Sequence, residues 1–95
     1  TAIKAAGKEN DITIVSVDGG CAGVRGIVDG QIDATSQQYP LKMAAMGVEA
    51  VVNFATTGEA PSGYTDTGVT LITDQPQEGV DSQDSTFGLD NCWGE

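Results

Sequence analysis

Residues 12–17 read ITIVSV, a β-branched run broken only by one serine. A strand with one wet face alternates polar and apolar residues. A run without alternation marks a strand covered on both faces, as in a parallel sheet. Asp18, Gly19 and Gly20 end this strand and open the next element. From Cys21 to Asp29 the apolar positions Val24, Ile27 and Val28 recur at helical spacing, and Gly30 closes the helix. QIDAT, residues 31–35, reads as a second short strand. Strand, helix and strand joined by tight glycine turns form a βαβ unit, which requires parallel pairing and a right-handed crossover.

TAIKAA at the start reads as the last turns of a helix, with Gly7 as its left-handed terminator. Pro40 suits the first turn of another helix, where its missing N–H is not needed. Leu41, Ala44 or Ala45, Val48, Val51 or Val52, and Ala55 then share one face. Met43, Met46 and Phe54 widen that stripe as core filler, so this helix is expected to be mostly buried before Gly58 ends it. EAPSGYTD (59–66) is loop and TGVTLIT (67–73) is a third strand. From Asp74 onward apolar residues are few and no period is sustained, so the tail is expected to lack structure of its own, pinned back by Cys92 and Trp93. Parallel strands need helices on both faces, and these elements are too few to supply them. The chain is therefore expected to be part of a larger α/β molecule.

Its 95 residues suit one small domain or part of a larger one. A chain this short buries only a little over roughly 60% of its unfolded surface, so a covalent staple matters. Cys21 and Cys92 stand 71 positions apart. Two unrelated buried thiols are one reading; a bridge is favoured, because the polar tail has little else to anchor it. A bridge implies an oxidising compartment. Four Lys plus Arg against 14 Asp plus Glu give a net charge of -10. That field repels phosphate backbones and anionic headgroups, which argues against nucleic-acid and membrane-surface binding. Without His, a Ser-His-Asp or Cys-His catalytic arrangement is excluded within the chain. Two distant cysteines make no four-thiolate zinc site, and no cofactor is implied. No apolar run approaches the roughly 18 residues of a membrane span.

The order of segments is specific. AAGKENDITIVSVDG, a helix, DGQIDATSQQYPLKMAAMGVEAV and YTDTGVTLIT together resemble the carboxy-terminal part of the sugar-binding solute receptors of ABC importers. These are the ribose-binding-like branch of the type I periplasmic-binding-protein fold, and the resemblance covers residues 1–73. The tail with NCWG resembles an extension of some secreted members. The resemblance implies part of a two-lobed α/β architecture with doubly wound parallel sheets, three hinge crossings, and three short strands with two to three helices in this chain. Residues 1–38 would be a lobe-two segment, 39–66 a lobe-one helix and loop, and 67–95 the return strand with a disulfide-anchored tail. Asp18 matches the aspartate at the carboxyl end of a lobe-two strand that accepts hydrogen bonds from sugar hydroxyls, and Gln38 matches the hinge glutamine that contacts the sugar. The implied ligand is a monosaccharide or similar polyol. The implied partners are a membrane permease and the upstream lobe segments of the receptor itself. The implied location is extracellular or periplasmic, free or anchored through an upstream lipoprotein segment.

Apart from the resemblance, Asp18 reads as a helix N-cap or turn residue and Gln38 as an exposed strand-end amide. Gln37 has no evident packing role and is expected to point away from the ligand. Asp29 and Asp33 flank a turn and read as solvated, and Arg25 as half of a surface ion pair; Trp93 could cover a sugar, but packing the tail is the favoured reading. The acidic positions from 74 to 90 fit no EF-hand spacing. The functional alternative is the effector-binding domain of a sugar-responsive transcription regulator of the same fold. The cysteine pair argues against that cytosolic reading. An enzyme is disfavoured by the absence of His and of any paired nucleophile and base.

Overall fold

A computed structural model describes residues 1–94. In chain order the elements are α1 (Ala2–Ala5), β1 (Val15–Asp18), α2 (Cys21–Val28), β2 (Ala34–Gln38), α3 (Pro40–Thr57), β3 (Val69–Ile72) and α4 (Ser85–Asn91). The fold is mixed α/β, with one three-stranded sheet in the order β1-β2-β3. The βαβ unit forms as the spacing predicts: β1 and β2 are parallel, Val15 opposite Ala34 and Asp18 opposite Gln37.

The second strand starts and ends later than the QIDAT reading. Asp33 and Ala34 donate their N–H groups to the Ile14 carbonyl at 2.9 and 3.3 Å, and the Asp33 carboxylate accepts the Ile14 N–H at 2.7 Å. Residues 31–33 are thus used in the turn, and Asp33 is half-buried rather than solvated.

The third strand corrects the expected all-parallel sheet. β3 runs antiparallel to β2, with Gln38 opposite Val69 and Thr35 opposite Ile72. The reason is the path between them. The 18 residues of α3 carry the chain outward by about 27 Å, and the following loop returns to the same end of the sheet. A chain that leaves and re-enters at one end must run antiparallel. Lys42 Nζ donates to the Thr67 carbonyl at 2.9 Å, and the Tyr39 and Thr70 hydroxyls are 2.6 Å apart. Outgoing and returning segments are thereby tied side by side.

The core lies on one face only. Val24 and Ile27 of α2 meet Ile72 of β3, with Ile32, Phe87 and Cys92 packed around them. Val28, expected on that face, is exposed. The tail is not structureless: Gln83 exchanges backbone hydrogen bonds with β3, and Asp84 caps α4 by accepting the Phe87 N–H at 2.9 Å. Among the described residues four helices therefore stand where two or three were expected, because α4 is short, capped and stabilised by packing that no local period reports.

Alternation along the strands turns Val15, Val17 and Val69 to the face opposite Thr35, Gln37 and Ile72. Those three valines are 60, 73 and 65% exposed. The expectation that the first strand is covered on both faces fails for this reason: no second helical layer lies on that side. The expected burial of α3 fails likewise. It begins at Pro40 and ends at Gly58 with φ 74°, yet none of its residues is buried, and Leu41 and Val51 are 76 and 67% exposed. Its apolar stripe is left largely open to solvent, with Leu41, Val48, Val51, Val52 and Phe54 all exposed. Total accessible surface is 6829 Å², against about 5,100 Å² for a folded monomer of this mass. The radius of gyration is 17.4 Å, against about 12 Å for a compact domain of this length.

Candidate functional site

Asp18 is the last residue of β1 and Gln38 the last of β2, so the parallel ladder places both at its carboxyl end. Crevices beyond the carboxyl ends of strands are where ligands bind in open α/β sheets. Gln38 Nε2 donates to Asp18 Oδ1. This leaves the second carboxylate oxygen and the amide oxygen of Gln38 as acceptors at one edge. Asp18 is exposed and Gln38 half-buried.

Asp18 has φ 89°, and among the described residues it is the one non-glycine with positive φ. Such backbone costs of order 1–3 kcal/mol and persists only where the surroundings enforce it. Gly19 follows with φ 59°, and a Cβ there would stand 2.4 Å from Gln37 Cα. The turn therefore lies directly against β2. Asp18 does not cap α2: the N-cap is Gly20, with no side-chain bond.

Gln37 corrects the expectation that it has no packing role. Its side chain does point to the other face from Gln38, but it is fully buried. Its Nε2 donates to the Gly19 carbonyl and to the Gly88 carbonyl, each at 2.9 Å. Sequence reasoning missed this because nothing local marks an amide that pairs with distant carbonyls.

Cys21, the first residue of α2, is bonded to Cys92. The Cys21 N–H donates to the Trp93 carbonyl at 3.0 Å, and the Trp93 ring lies over Gly20. Trp93 also lines a cavity of about 230 Å³ with Tyr39, Pro40, Leu41, Lys42 and Asn91. A second cavity, about 470 Å³, involves Ile3, Ile14, Gly30 and Asp33 near the amino ends of β1 and β2, remote from Asp18 and Gln38. Arg25 is exposed, and the ion pair among the described residues is Lys8–Asp11, so no described residue supplies the ion-pair partner expected for Arg25. No metal-ligating group of three or more side chains occurs among the described residues, and no described helix is long and apolar enough to cross a membrane.

Comparison with protein-family models finds no match, and no curated protein matches the chain.

Proposed function

We propose that the chain is part of the solute-binding component of an ABC importer, a non-enzymatic receptor that captures a monosaccharide or similar polyol for delivery to a membrane permease. One observation carries the reading. A carboxylate and an amide stand hydrogen-bonded at the carboxyl ends of two parallel strands, where the chain leaves through Tyr39 and returns through Thr70. A carboxylate offers strong acceptors to a hydroxyl donor, and an amide matches a hydroxyl as both donor and acceptor. Paired crossings beside the ligand suit a two-lobed receptor that closes about a hinge.

Two further features support it. The uncovered valine face of the sheet and the unburied α3 are the surfaces that the remaining lobe segments of such a receptor would cover, completing doubly wound lobes with helices on both faces. The Cys21–Cys92 bond suits an extracellular or periplasmic setting.

The test is a thermal-shift screen of monosaccharides on the full-length protein, followed by calorimetry on Asp18→Ala. Binding that is lost in the variant supports the receptor. Absence of carbohydrate binding sinks it, and two free thiols in protein isolated without oxidation would favour the cytosolic regulator instead.

A further inference from the structure

The left-handed backbone of Asp18 needs an enforcing contact, and three converge on the turn that follows it. Gln37 Nε2 holds the Gly19 carbonyl and the Gly88 carbonyl together, so one amide ties the turn to α4. Gly19 packs so tightly on Gln37 that no side chain fits between them. Cys21, two residues further, is bonded to Cys92 and donates its N–H to the Trp93 carbonyl. The tail therefore grips the turn at two places, through Gln37 at Gly88 and directly at Cys92 and Trp93.

Among the described residues, Gln37 stands in the core with both donors of its amide used and its acceptor unused. It faces the same side of the sheet as Ile72, and its Oε1 is buried with no partner among the described residues. A buried polar atom left unpaired is unfavourable; an apolar side chain of equal size would remove that atom but leave the Gly19 and Gly88 carbonyls without their donor. What glutamine supplies is two donors on one nitrogen, one spent on a carbonyl of the turn and the other on a carbonyl of α4.

We propose that Gln37 is a positioning residue for Asp18: with the Cys21–Cys92 bond it braces the Asp18–Gly19 turn against α4, so that the carboxylate meets its ligand already ordered. The proposal rests on Asp18 being the sugar contact named above. Preorganisation raises affinity by removing an ordering cost at binding. Loosening the brace then weakens binding although Gln37 touches no ligand atom.

The experiment uses the full-length protein and two variants. Gln37→Met keeps the volume and removes both donors; Ile72→Val trims the same core and leaves the amide bridge intact. Each is followed by hydrogen exchange at Gly19, Gly20 and Cys21, and by titration with D-ribose, D-xylose, D-glucose and D-galactose, below its melting temperature. Gln37→Met is expected to speed exchange at the turn and to raise the Kd of whichever sugar binds by about ten-fold, the equivalent of ordering roughly one residue. Ile72→Val should do neither. In an Asp18→Asn background, Gln37→Met should add less than about two-fold, because both act through one group. Unchanged exchange at the turn, or full additivity with Asp18→Asn, overturns the brace. If none of the four sugars binds, or Asp18→Asn binds as tightly as the parent, the receptor reading fails instead, and exchange alone decides the role of Gln37. Should Gln37→Met not fold, Cys92→Ser loosens the same brace from its other end and is read by the same exchange criterion.

Discussion

Gln37 and Gly88 lie 51 residues apart, and the amide of the first donates to the carbonyl of the second over 2.9 Å. The bond joins the central strand to the tail helix where the helix comes nearest the sheet. A Cβ on Gly88 would stand 2.8 Å from Ile72 Cγ2 and 2.9 Å from Val24 Cγ1. Gly88→Ala is therefore expected to lower stability by about 1–3 kcal/mol through overpacking. Urea unfolding measures it, and an unchanged midpoint would mean that the contact has slack.

Gly19→Ala meets two penalties at once. Its φ of 59° disfavours any Cβ, and the nearest obstacle is Gln37 backbone, which cannot swing aside. Left-handed strain and overpacking together should cost about 2–5 kcal/mol. A thermal melt within a degree of the parent would refute this.

The Cys21–Cys92 bond spans 71 positions. Loop entropy for such a span is worth about 4 kcal/mol at most. Cys92→Ser, or reduction, should lower the unfolding free energy by about 2–4 kcal/mol and open the carboxyl end of α4 to proteolysis first, since the bond is the covalent anchor of that end. Equal denaturation curves with and without reductant would contradict it.

At the candidate site, Asp18→Ala removes a charged acceptor. Such hydrogen bonds contribute about 1.5–3 kcal/mol, so monosaccharide affinity should fall by roughly ten- to hundred-fold. Calorimetry reads the change, and the fold should survive, because Asp18 is exposed.

Val51 on α3 is 67% exposed. In this chain alone, Val51→Lys should change the unfolding free energy by no more than about 0.5 kcal/mol. If the chain is part of the proposed receptor and its remaining segments cover α3, the same change in the full-length protein would bury an unpaired ammonium, and the loss should exceed about 2 kcal/mol. Equal effects in both settings would show that nothing covers α3.

Much of the local structure was legible in the chain. Val24 and Ile27 mark the buried face of α2, Pro40 and Gly58 bound α3, and Cys21 stands out as a partner for Cys92. These follow from residue geometry within a turn or two, or from the scarcity of cysteine. The end of β1 at Asp18 was legible too, whereas the QIDAT reading stopped β2 three residues short of Gln38, and the contact between the two side chains depends on register.

What tertiary structure alone decided is burial and direction. An amide reads as polar in any local window, and Gln37 becomes a core residue only because one carbonyl 18 residues before it and another 51 residues after it converge on its nitrogen. The antiparallel run of β3 depends on where the chain re-enters the sheet, and the exposure of α3 depends on what lies beside it. Periodicity says which face a helix would bury; only a neighbour in space determines whether it does, since removal of apolar surface from water requires two surfaces.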